Sequence, residues 1–106
     1  MEGDPFAVEV THRAEQDIDH LGEEGAATAI RALRRLESNP RDGHTLRGSL
    51  RGARSLEFSK PGGEYRAAYV VLPAERICLV FMVGPHENFY REAERRYRLL
   101  KKRRPR

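Results

Sequence analysis

The spacing of apolar residues along the chain changes period once, near Leu46. Before that point, Ala7-Val-Glu-Val-Thr11 alternates and predicts a first strand. Thr11 is placed to cap a helix whose Ala14, Ile18 and Leu21 recur at helical spacing until Gly22 ends it. A second helix is predicted from about Gly25, with Ala26, Ala29, Ile30, Leu33 and Leu36 on one stripe and Ser38-Asn39-Pro40 as its stop. The two helices form a hairpin. From Leu46 onward the pattern becomes short β-type runs, Arg54 to Ser59, Tyr65 to Leu72 and Arg76 to Val83, joined by Lys60-Pro-Gly-Gly63 and Leu72-Pro-Ala-Glu75. Connections this short predict an antiparallel meander. Glu87 to Leu100 returns to helical spacing, with Phe89, Ala93, Tyr97 and Leu100 directed at the sheet.

The order βααβββα predicts an α+β domain with the helices packed on one sheet face and the other face partly open: an N-terminal strand and helical hairpin on a small antiparallel sheet, followed by a C-terminal helix. Along the third run, Tyr65, Ala67, Tyr69 and Val71 share one face and Arg66, Ala68, Val70 and Leu72 the other. A chain of 106 residues, 39% hydrophobic and 34% charged, closes one modest core, so residues 1–98 are expected to be a single domain and residues 99–106 a basic tail. The longest apolar run, Ile77 to Val83, falls far short of the roughly 20 residues that span a bilayer, and the first 25 residues carry no signal-peptide pattern. A cytoplasmic protein without membrane contact is expected. The lone cysteine, Cys78, lies inside that run and reads as core filler.

Net charge sharpens the picture. The chain carries +4, but Arg95 to Arg106 holds eight bases and no acid, leaving twelve bases against sixteen acids, or −4, over the preceding 94 residues. A localised basic run attracts polyanions through counterion release, and it equally serves as a solvated tail. Arg95, Arg96, Arg98, Lys101, Lys102 and Arg103 are its candidate nucleic-acid contacts.

Metal-independent cleavage of RNA needs a base for the ribose 2′-hydroxyl, a cation for the charge that develops on phosphorus and an acid for the departing 5′-oxygen. Arg66 suits the second task, because a permanently charged, forked guanidinium on a strand can hold two phosphate oxygens; a surface or salt-bridged arginine is the plainer reading. His86, after Gly84-Pro85, titrates near neutrality as an acid should, or caps the following helix. Tyr90, one turn on, either packs in the core or stacks on a base. The segment from Asp42 to Arg54 supplies His44, Arg47, Arg51 and Arg54 among glycines, a basic loop able to follow a nucleic-acid backbone or merely to connect helix and sheet. No phosphate-loop signature and no clustered metal-ligand set occurs, so no cofactor is expected.

Several elements together resemble the RelE/ParE superfamily of bacterial type II toxins from Val8 to Arg98. They are the strand and hairpin ending in Leu36-Glu-Ser-Asn-Pro40, then Leu46-Arg-Gly-Ser-Leu-Arg-Gly52, Tyr65-Arg66 with Tyr69, and Val83-Gly84 followed by His86 and Tyr90. The resemblance implies either a ribosome-dependent endoribonuclease that cuts mRNA, as in RelE types, or a DNA gyrase poison, as in ParE types, each silenced by a cognate antitoxin. Arg66 matches the RelE arginine at the scissile phosphate and Tyr90 the tyrosine of the last helix. His86 stands where RelE has an arginine, but a histidine four residues before an aromatic also occurs in the YafQ branch. That branch further has a catalytic histidine before a Leu-x-Gly-Ser segment, as His44 is here, a histidine where Glu57 stands, and an acid matched by Glu64.

The expected roles are therefore His44 or Glu57 as base, Arg66 at the phosphate, His86 as acid and Tyr90 stacking or orienting, with mRNA, ribosomal RNA and an antitoxin as partners. The strand holding Ser55 and Glu57 departs from the RelE pattern in having only Arg54 as a base. The ribonuclease is the favoured expectation; a gyrase inhibitor and a non-enzymatic basic nucleic-acid-binding domain are the alternatives.

Overall fold

The computed structural model describes residues 5–60, 62–85 and 87–103. Strand β1 (Ala7–Val10) leads into helix α1 (His12–Asp19), which Thr11 caps by accepting the Ala14 amide, as the sequence predicts. Gly22, with φ of 83°, supplies the left-handed residue between the helices, and α2 runs from it to Ser38, three residues longer at its start than predicted. A two-residue strand β2 (His44–Thr45) and a 3₁₀ turn (Gly48–Leu50) precede β3 (Arg54–Lys60), β4 (Gly63–Leu72) and β5 (Ile77–Pro85). Helix α3 spans Phe89–Arg103, so the first five residues expected to form the tail are helical.

The strands form one sheet in the order β1-β5-β4-β3-β2, antiparallel except where β1 adds to β5 in parallel. Between Ala68 and Tyr69 the β4–β5 register shifts, so that Phe81 and Met82 both face the α3 side. This bulge reverses the face alternation of β5 beyond it. Cys78 and Val80 then share a face with Val83, whereas Leu79, Phe81 and Met82 share the other.

One expectation is corrected here. The helices do not share a single sheet face. The α1–α2 hairpin packs Ala14, Ile18, Ala29, Leu33 and Leu36 on the face of Leu56, Ala67 and Tyr69, while α3 lays Phe89, Ala93 and Tyr97 on Ala68, Val70, Leu79 and Phe81. Both faces of β4 and β5 are apolar, and exposing either would forfeit about 25 cal/mol per Å² of burial. Cys78 is buried in the first of these cores, where desolvation pushes its thiol up to about 11. No described helix is long and apolar enough to cross a membrane.

Candidate active site

The α3 layer covers only part of its sheet face. Beyond its first turn the polar side chains of β2, β3 and β4 meet. Cross-strand pairing sets their order: His44 lies opposite Ser55, Glu57 opposite Arg66, and Arg66 opposite Gly84. Ser55 and Glu57 share a face because strand side chains alternate, and their neighbours Leu56 and Phe58 point into the hairpin-side core.

Arg66 is the centre of the group. Its Nη1 donates to Glu57 Oε2 at 2.5 Å and to the Tyr90 hydroxyl at 2.6 Å, and its guanidinium carbon lies 5.2 Å from the centre of the Tyr90 ring. The side chain is 16% exposed, so most of the cation is shielded from solvent. His44 Nδ1 lies 3.9 Å from the same Glu57 oxygen. Tyr90 is held by an edge-to-face contact with buried Phe89, following Asn88, whose φ of 56° turns the chain into α3. Beside Arg66 opens a cleft of about 270 Å³, lined by Glu57, Glu64, Tyr65 and Arg66, with Ser59 donating to Glu64 at 3.1 Å. Permanent positive charge and a carboxylate lining a cleft, with an imidazole beside that carboxylate, suit binding and proton transfer on an anionic ester.

Four of the five expected catalytic residues, His44, Glu57, Arg66 and Tyr90, thus come together. His86 lies outside the described residues. Two of the expected nucleic-acid contacts have other work. Arg54 is turned inward, with Nε donating to the Gly43 carbonyl at 3.0 Å and Nη2 to that of Arg41 at 3.2 Å. Arg96 is 11% exposed and forms a forked pair with Asp17, Nη1 to Oδ2 at 2.6 Å and Nη2 to Oδ1 at 3.1 Å, while Nε bonds Glu92 at 2.9 Å. Each bonds backbone carbonyls: Arg54 those of the loop before β2, and Arg96 that of Phe81 at the bulge, 3.2 Å away. Arg47, Arg51, Arg98 and Lys102 are exposed, Arg95 pairs with Glu92, and Lys101 stacks on Tyr97 at 4.7 Å. Residues 104–106 of the expected basic run lie outside the described residues.

Sequence reasoning missed two side chains that hold this arrangement. Asp17 accepts the Val83 amide at 2.9 Å as well as Arg96; its signal is an acid bordering the apolar stripe of Ala14 and Ile18. Tyr69 is fully buried, accepts the Gly43 amide at 2.9 Å and donates to the Pro40 carbonyl at 2.8 Å. Nothing in the strand pattern distinguishes it from an ordinary core aromatic.

A three-layered α+β domain with an arginine-centred anion site at the end of its sheet is the class these features define. Residues 8–94 match the family described as the ParE-like toxin of type II bacterial toxin–antitoxin systems, and the chain belongs to that family. Among solved structures it resembles the RelBE2 toxin–antitoxin complex of Mycobacterium tuberculosis, at 24% identity over 77% of this chain and 99% of that one, with a TM-score of 0.69. A mutant RelE toxin of Escherichia coli in the free state gives a TM-score of 0.69 at 21% identity, covering 85% of this chain and 93% of that one. The YoeB/ParE toxin of Agrobacterium tumefaciens gives 0.63 at 17%, covering 76% and 99%. Likenesses at this level of identity carry the fold. No curated protein sequence matches the chain.

Proposed function

We propose that this toxin is a metal-independent endoribonuclease that cleaves mRNA on the ribosome. The observation that carries the reading is the convergence of Tyr90 and Glu57 on the Arg66 guanidinium, with His44 next to Glu57. An arginine whose partners include a displaceable carboxylate and a phenol can take a phosphodiester in place of the carboxylate. Glu57, released from Arg66, then orients the His44 imidazole through Nδ1 and leaves Nε2 to accept the 2′-hydroxyl proton. The 2′-oxygen attacks phosphorus, Arg66 and the Tyr90 hydroxyl stabilise the charge on the non-bridging oxygens, and the P–O5′ bond breaks as a proton reaches the 5′-oxygen. The products are a 2′,3′-cyclic phosphate and a 5′-hydroxyl. His86 is proposed as the proton donor on its chemistry and its place in the sequence after Pro85, the residue opposite Tyr65.

Exposed Arg47, Arg51 and Lys102, with Arg98, are proposed to contact mRNA or ribosomal RNA. The single-sign charge of the α3 end supports this role. RelBE2 and Escherichia coli RelE have been solved with their antitoxins, and a cognate antitoxin is proposed here as well, in a cytoplasmic setting. The ParE name of the family favours a second reading, inhibition of DNA gyrase. Incubating the purified protein with mRNA-programmed ribosomes, and separately with gyrase and relaxed plasmid, decides between them. The nuclease reading requires mRNA fragments and undiminished supercoiling; intact mRNA with blocked supercoiling overturns it.

A further inference from the structure

Strand β2 contributes only His44 and Thr45 to the sheet, and a two-residue ladder is a weak mount for a catalytic imidazole. The loop before it is held far more firmly. Asp42 accepts from Arg35 at 3.0 Å, the Arg41 and Gly43 carbonyls accept from Arg54, and the Pro40 carbonyl and Gly43 amide meet on the hydroxyl of Tyr69. Tyr69 is 0% exposed and reaches this loop from the hairpin-side core. Gly43 has no room for a side chain, since a Cβ there would stand 2.6 Å from the Ser55 carbonyl oxygen and 2.9 Å from the Tyr69 hydroxyl. The next residue is His44, opposite Ser55.

We propose that Tyr69 is a positioning residue for catalysis: its buried hydroxyl, bridging Pro40 and Gly43, sets where His44 leaves the loop and so keeps the imidazole within reach of Glu57. The inference rests on the ribonuclease reading, with His44 as base. The hydroxyl does both jobs at once, donating to the Pro40 carbonyl and accepting from the Gly43 amide. Burial pushes the phenol above its ordinary 10.0, so it stays protonated and keeps its donor at cellular pH. Loss of the oxygen strands a buried amide and a carbonyl, which the loop relieves by shifting toward water. A shift of about 1 Å at a catalytic group costs on the order of 100-fold in rate.

The test compares Tyr69→Phe, which keeps the ring in the core, with His44→Ala and the double variant in the ribosome-programmed cleavage assay. Tyr69→Phe should lower kcat by about tenfold or more with KM within about twofold, and should change nothing further in the His44→Ala background. Gly43→Ala, whose Cβ would crowd the Ser55 carbonyl and the Tyr69 hydroxyl and so displace the loop, should give the same split. Nuclear magnetic resonance of the same variants reads the geometry independently of activity: the His44 ring signals and the Gly43 amide signal should move in Tyr69→Phe while those of Arg66 and Tyr90 stay. An unchanged kcat, unmoved His44 signals, or an equal further loss in the His44→Ala background would overturn the proposal. Arg66→Ala is run alongside; if it cleaves like the wild type, the ribonuclease reading itself falls, whereas an inactive Arg66→Ala with a fully active Tyr69→Phe removes only the positioning role.

Discussion

Replacing Arg96 by methionine should unfold this domain more readily than any change at the exposed arginines, and the geometry gives the scale. Arg96 and Asp17 are 11% and 17% exposed and share two hydrogen bonds, at 2.6 and 3.1 Å. The pair also closes the β5 bulge. Asp17 takes the Val83 amide at 2.9 Å and Arg96 the Phe81 carbonyl at 3.2 Å. Methionine keeps the apolar stem but leaves a mostly buried carboxylate without its cation, a defect worth about 3–5 kcal/mol in a fully buried pair. With residual exposure and the Val83 amide still bonded, we expect about 2–3 kcal/mol. Asp17→Asn should cost only about 1 kcal/mol, because its amide oxygen still accepts from Val83 and Arg96 retains Glu92. An unfolding entropy of about 2.1 cal/mol/K per residue, or roughly 0.2 kcal/mol/K for a chain of this length, converts these into Tm losses of about 10 °C and 5 °C. Circular dichroism melts in about 0.15 M salt provide the assay. A melting temperature for Arg96→Met within about 3 °C of the wild type, or a larger loss for Asp17→Asn, would refute the assignment of Arg96 as a structural clamp rather than an RNA contact.

Three further outcomes follow from the same packing. Ser55 Oγ is buried with no hydrogen-bond partner among the described residues, so Ser55→Ala should leave stability unchanged or raise it by up to about 1 kcal/mol in urea titrations. Hydrogen bonds from Arg95 and Arg96 hold the Glu92 carboxyl below its ordinary 4.5, so its contribution is complete above that pH and is lost as pH falls through the lowered value. Glu92→Gln should therefore lose a few tenths to about 1 kcal/mol at pH 7, and the two proteins should converge in acid melts well below pH 4.5. Gly52 has φ of 100° and would set a Cβ 2.6 Å from the Tyr97 hydroxyl, which donates to the Arg51 carbonyl; Gly52→Ala should cost about 1–3 kcal/mol by thermal melt.

The elements that could be read from the chain are those in which one face is apolar and the other is not. The Ala14–Ile18 and Ala29–Leu36 stripes, the β3–β4–β5 hairpins and the Phe89–Tyr97 stripe all announce themselves by period, and Arg66 and Glu57 fall opposite each other once the β3–β4 hairpin closes. The parallel seat of β1 on β5 was not legible, because alternation gives no strand direction. Nor was the placement of α3 across from the hairpin, since β4 and β5 are apolar on both faces and a bulge at Phe81–Met82 changes the phase midway. The basic residues misled in a specific way. Arg54 and Arg96 resemble exposed Arg51 and Arg98 in composition, and only long-range contacts, to Gly43 and to Asp17, distinguish an internal tether from a surface charge. His44 looked like part of a flexible loop because the side chains that fix it, Arg54 and Tyr69, lie 10 and 25 residues further along.

The proposed ribonuclease activity depends on Arg66 as the group that holds a scissile phosphodiester. The most direct test maps the 5′ ends of a reporter mRNA minutes after induction of the wild type and of Arg66→Ala, a substitution that removes the guanidinium shared by Glu57 and Tyr90. New ends inside the translated region, appearing with the wild type and reduced at least about 100-fold with Arg66→Ala, are the predicted result. Growth arrest with intact mRNA, or identical ends from both proteins, would contradict it.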